Sequence, residues 1–155
     1  MTRINSAIPV KNLTDEHLLA EHREIKRLPW CLENAIESGS INHIPEKFTL
    51  GKGHVLFFLD KMLFTHYRYL EIHHELRERG MIVGFYGNNW NSKHLISQGC
   101  VDYYNDYTPT SEERDLLIER ITERIMNSPK KCFHYYGKAI SKEEAIDLLK
   151  NETSL

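Results

Sequence analysis

The chain lacks any long hydrophobic run. Its longest apolar stretch, residues 55–59, is far shorter than the ~20 residues that span a bilayer. The first residues lack the apolar segment of a signal peptide, so a cytoplasmic protein without a membrane partner is expected. Cysteine is scarce: Cys31, Cys100 and Cys132 are odd in number and have no metal-type spacing. A disulfide scaffold is therefore excluded, and reduced thiols are expected. His66 and the pair His73-His74 do not supply a metal site either. Adjacent histidines on a helix point in different directions, and no cysteine or carboxylate completes a ligand spacing, so no metal is expected. Internal repeats and low-complexity segments are absent.

An excess of positive charge is also missing. Twenty Lys and Arg stand against 22 Asp and Glu, a net charge of −2. Residues 141–155 carry that whole deficit, with Glu143, Glu144, Asp147 and Glu152 against Lys142 and Lys150. The remaining chain is formally neutral. A nucleic-acid partner would have to meet a local basic patch, with strongly salt-dependent binding. The turn Gly51-Lys52-Gly53-His54 lacks the spacing and the following Lys-Ser/Thr of a nucleotide-binding loop. It reads as a tight turn that places His54 and Phe57.

What the chain does have is 155 residues with 41% apolar content, enough for one core. Thr14, followed by Asp15 and Glu16, reads as the N-cap of a first helix. Leu18, Ile25, Leu28, Leu32 and Ile36 form its apolar stripe, bent at Pro29 and ended by Ser38-Gly39-Ser40. A second helix carries Met62, Leu63, Tyr67, Leu70 and Leu76 and stops at Gly80. A third opens with the capping-box pattern from Thr110 to Glu113. It shows Leu117, Ile118, Ile121 and Ile125 on one face, and Pro129 stands beyond its end. A short last helix follows a second capping box, Ser141 to Glu144. Residues 82–87 suggest a strand, and Asn88-Asn89 and Gly99 suggest turns. The expected fold is mainly α: a single compact domain of three principal helices with long connecting loops and a short C-terminal helix. Residues 1–140 form the body and 141–155 an acidic extension.

Two features carry candidate chemistry. If Met1 is removed, Thr2 presents an α-amine. Such an amine titrates near 7.7–8.0, against about 10.4 for lysine, so a useful fraction is neutral at pH 7. On the first helix, at about 100° per residue, Glu24 falls almost beneath His17, with Arg23 and Arg27 on the neighbouring side. Helix geometry alone reads this as a solvated face with routine ion pairs.

The order of several short blocks changes that reading. Thr2-Arg3-Ile4-Asn5, His17-Leu18, Ala20-Glu21, Arg23-Glu24 and Arg27 open the series. Leu50-Gly51, Gly53-His54-Val55, Phe57-Phe58 and Asp60-Lys61 follow, and Tyr135-Tyr136-Gly137-Lys138-Ala139-Ile140 close it. In these blocks the chain resembles the phage-type pyrimidine-dimer DNA glycosylase family, also called endonuclease V.

The resemblance implies an enzyme of DNA repair, a glycosylase and abasic-site lyase, in phage-infected cells or bacterial cytoplasm. Thr2 would be the nucleophile and Glu24 the stabilising carboxylate. Arg3, Arg23 and Arg27 would hold phosphates, and His17 would orient Glu24 or touch the backbone. Arg120 and Arg124 match basic positions of the family, while Tyr135, Tyr136 and Lys138 suit a groove or an exposed base. The tyrosines equally suit packing against the first helix. The expected partner is double-stranded damaged DNA, met by a monomer without metal or other cofactor. Where the family usually has a tryptophan–tyrosine pair, this chain has Cys132-Phe133. The same chemistry on another lesion or on abasic sites alone, and a non-catalytic DNA-binding module, are the alternatives.

Overall fold

A computed structural model describes residues 4–91 and 100–151. Thr2, Arg3, Gly99 and Glu152 lie outside them. Helix α1 spans Asp15–Ile25, and Thr14 caps it as expected, its Oγ1 accepting from the His17 N–H at 3.2 Å. The first helix is not one bent rod. It stops at Ile25, and α2 begins afresh at Leu28–Ser38. Pro29 is the cause: inside a continuous helix its ring would meet the carbonyl four residues back, which belongs to Ile25. In the first turn of α2 its missing N–H costs nothing. Gly39, at φ +82°, ends α2 in the left-handed conformation.

A short helix α3, His54–Phe58, leads into the long α4, Met62–Glu78. Helix α4 ends in a Schellman motif. Gly80 takes φ +82°, its N–H donates to Arg77 O, and the Met81 N–H donates to Leu76 O. The inward face of α4 differs from the apolar pattern. Met62, Thr65, Tyr69, Ile72 and Leu76 are buried, whereas Tyr67 and Leu70 are exposed. Arg68 and Glu75 take inward positions instead, each paired with an opposite charge.

Residues 82–87 form no strand, because no partner strand meets them among the described residues. Ile82 is fully exposed there. The segment is held from below: the Tyr86 N–H donates to the Tyr69 hydroxyl, and buried Trp90 donates to Thr65 Oγ1 at 3.1 Å.

Helix α5, Ser111–Asn127, is capped by Thr110 Oγ1, which accepts from the Glu113 N–H. The reciprocal half of the expected box gives way to burial. The Glu113 carboxylate turns to Ser6 Oγ and the Tyr107 hydroxyl. A hairpin follows that the sequence pattern did not disclose: β1, Cys132–Tyr135, pairs antiparallel with β2, Lys138–Ser141. Its two-residue turn, Tyr136-Gly137, has both φ angles positive, as a right-twisted hairpin favours. Helix α6, Lys142–Lys150, carries both halves of its Ser141–Glu144 capping box and buries Ala145 and Leu149.

The core joins Leu18 and Ile25 of α1, Leu28 and Leu32 of α2, the inward face of α4, and Leu117, Ile121 and Ile125 of α5. The N-terminal segment is part of it, since Ile4 and Ile8 are completely buried. No helix of the described residues is long and apolar enough to cross a membrane. The architecture is mainly α, with one two-stranded sheet among the described residues.

Candidate active site

Residues of α1, of α5 and of the N-terminal segment together line a cavity of about 230 Å³. Its polar lining is His17, Glu21, Arg23 and Glu24 from α1, Arg120 and Arg124 from α5, and Asn5. Ala20, Leu117 and Ile121 supply an apolar floor. Five positions singled out by sequence, on two helices almost a hundred residues apart, are thus brought together.

Glu24 is bonded to Arg27 Nη1 at 3.1 Å, in a pair that remains partly open to solvent. Among the described residues Arg23, Arg120 and Arg124 form no salt bridge. Three guanidiniums thus stand beside Glu24, while the other lining carboxylate, Glu21, is neutralised by buried Arg68. That balance suits a polyanion with a cationic centre developing beside it.

His17 is part of the lining. Its Nδ1 lies 2.6 Å from Thr14 Oγ1, and its ring stacks on Phe133 at 5.6 Å. Burial pushes its pKa down to about 4, and nearby Arg124 and Lys130 act in the same direction against Glu16. At neutral pH it is an uncharged, oriented ring. Phe133, at the position of the departure from the family pattern, is buried beneath it, whereas Cys132 is exposed.

Tyr135, Tyr136 and Lys138 do not line this cavity. The two tyrosines lie over the Arg79 guanidinium, with ring centroids 4.7 and 4.8 Å from it. The Tyr135 hydroxyl donates to Lys11 O and the Tyr136 hydroxyl to Glu75 Oε2 at 2.7 Å. Burial and the Glu75 carboxylate push the Tyr136 pKa up to about 12. Lys138 is exposed on the same hairpin.

Asn5 is a lining residue to which sequence reasoning gave no role, although it stands inside the first matching block. It is 3% exposed, and its Oδ1 has no hydrogen-bond partner among the described residues. A buried polar atom without a partner is an acceptor that a donor would stabilise. Among the described residues no cluster of three His, Cys, Asp or Glu side chains is placed to hold a metal ion.

Comparison with known families yields a match to the model of the pyrimidine dimer DNA glycosylases over residues 1–94, more than half of the chain. The matched part includes the N-terminal segment, α1 and the whole of α4.

Proposed function

The chain belongs to the pyrimidine dimer DNA glycosylase family, a family of DNA repair, and from that premise we propose that it excises dimers through an imine on its own N-terminal amine and then cuts the strand. The observation that carries this reading is the cavity between α1 and α5. It gathers Glu24 and three cations beside the N-terminal segment. Thr2 is three residues upstream of cavity-lining Asn5 in sequence.

With Met1 removed, the neutral amine of Thr2 attacks C1′ of the damaged nucleotide, and the bond from C1′ to the base breaks. Positive charge builds on the sugar as the base leaves, and ionised Glu24 stabilises it. The attached nitrogen sheds a proton, the C1′–O4′ bond breaks with O4′ taking up a proton, and the iminium so formed acidifies the C2′ proton. Glu24, directly or through a water, takes that proton. The 3′ phosphate leaves by β-elimination, and water hydrolyses the imine to free the enzyme. Arg3, Arg23, Arg27, Arg120 and Arg124 grip the flanking phosphates, with guanidinium forks matched to paired oxygens. One chain supplies every group named, and the steps need no metal or nucleotide.

The buried Phe133 favours a second reading, the same chemistry on a different lesion, because the pair that the family places there is not presented here. Blocking the amine by acetylation or by one added residue is expected to leave DNA binding intact and to abolish strand cutting. Parallel digestion of dimer-bearing and abasic duplexes of one sequence separates the readings. Cutting of both supports dimer excision, and cutting of the abasic duplex alone overturns it in favour of another lesion. Cutting by the blocked protein overturns the N-terminal nucleophile.

A further inference from the structure

We infer that His54, on α3 and outside the cavity lining, is a positioning residue that anchors the N-terminal segment and so aims its amine at the damaged nucleotide. The inference rests on the reading of the amine as nucleophile.

Both ring nitrogens of His54 are engaged. Nε2 lies 2.9 Å from the Ile4 N–H, and Nδ1 lies 2.8 Å from Thr49 O. An amide can only donate and a carbonyl can only accept. The ring is therefore the neutral tautomer with its proton on Nδ1, bonded to Thr49, and Nε2 is the acceptor for Ile4. This bond joins residues fifty apart in sequence and is buried at both ends. It also fixes the backbone nitrogen one residue before cavity-lining Asn5.

The ring itself has little freedom. Phe48 and Phe58 meet it edge-on at 5.5 and 5.4 Å. Gly53 precedes it at φ +95°, where an added Cβ would come within 3.2 Å of Pro45. The tight turn thus delivers a fixed acceptor to a fixed backbone position. The proposed nucleophile is two residues upstream of that anchor in sequence. Misplacement of a reacting group by about 1 Å costs roughly a hundredfold in rate.

The two ring nitrogens have separate amide mimics, which distinguish positioning from folding. In His54→Gln the side-chain oxygen reaches the Nε2 place and keeps an acceptor for Ile4. In His54→Asn the amide reaches only the Nδ1 place, keeping the Thr49 bond and losing Ile4. The experiment measures three things on each purified full chain: single-turnover borohydride trapping on an abasic duplex, affinity for that duplex, and hydrogen exchange of the Ile4 amide.

The expected result is a roughly tenfold to hundredfold slower trapping in His54→Asn, with duplex affinity near wild type and a deprotected Ile4 amide. His54→Gln should recover most of the rate and of the protection. Trapping by His54→Asn at the wild-type rate would overturn the inference, as would equal losses in both variants that follow thermal stability. If the wild-type adduct maps away from the N-terminus, the nucleophile reading falls and the inference with it. An N-terminal adduct formed equally fast by all three proteins sinks the inference alone.

Discussion

The arginines of this protein divide into two populations that share a residue type and little else. Arg68 and Arg79 are nearly inaccessible. Arg68 bonds both oxygens of Glu21 and the carbonyl of Ile8. Arg79 bonds Asp15, Glu75 and the carbonyls of Leu13 and Val10. Asp15 in turn accepts from the Tyr136 and Gly137 N–H groups, which ties the hairpin to the start of α1. These cations are consumed by the fold. Arg23, Arg120 and Arg124 line a cavity, and no salt bridge among the described residues occupies them. The lesson is that net charge says little about a polyanion site. A chain of net charge −2 still brings Arg23, Arg120 and Arg124 to one cavity, because placement and not total charge decides which cations stay unpaired.

The sharpest way to break this comparison is to exchange the roles. Arg79→Met strands Asp15 and Glu75 as buried carboxylates without their cation. A loss of about 3–5 kcal/mol of folding stability is expected, read from urea denaturation. A change below about 1 kcal/mol would mean that Arg79 is not structural. In contrast, Glu24→Gln is expected to leave the denaturation midpoint almost unchanged while slowing base excision by roughly 10²–10³-fold. Single-turnover kinetics on a dimer-bearing duplex reads that effect.

Smaller effects separate the open cations one by one. Arg120→Gln and Arg124→Gln should each weaken duplex binding and reduce its salt slope by about one, with stability within about 0.5 kcal/mol of wild type. An unchanged slope for both would remove α5 from the DNA face.

The smallest expected effect concerns pH. His22 packs against His73 and Tyr69, and burial, with His73 and Lys26 adding to it, holds its pKa near 4. It stays neutral in the folded chain down to about pH 4, whereas in the unfolded chain it protonates below about 6.5. The unfolded chain binds more protons in that window, so the contribution is full above pH 6.5 and is lost as pH falls toward 4. His22→Phe should flatten this part of the stability profile, measured by denaturation across pH 4–7. An unchanged slope would assign the acid limb to other groups.

Much of the helical frame was legible in the sequence, for local reasons. Thr14, Thr110 and Ser141 cap helices as side-chain chemistry demands, and Gly39 and Gly80 end them at positive φ. The misread positions are those where tertiary pairing overrides pattern. Tyr67 and Leu70 lie outward because Arg68 and Glu75 found buried partners, and Glu113 left its capping role for Ser6 and Tyr107. The hairpin escaped notice because Tyr136-Gly137 is an uncommon two-residue turn and the strands are four residues each. At the site, α1 geometry placed His17 and Glu24 on one face. The resemblance named Arg120 and Arg124, the fold brought them to the same cavity, and Asn5 came from the fold alone. Sequence alone also could not set Tyr135 and Tyr136 against Arg79, because that cluster joins elements more than fifty residues apart.

The most direct test of the account is to map the covalent adduct trapped by borohydride on ultraviolet-irradiated duplex DNA. One adduct is expected, absent on unirradiated DNA, in the peptide that begins with Thr2, and it should be lost when the amine is blocked. An adduct on a lysine side chain, or none on irradiated or abasic duplex, would contradict it.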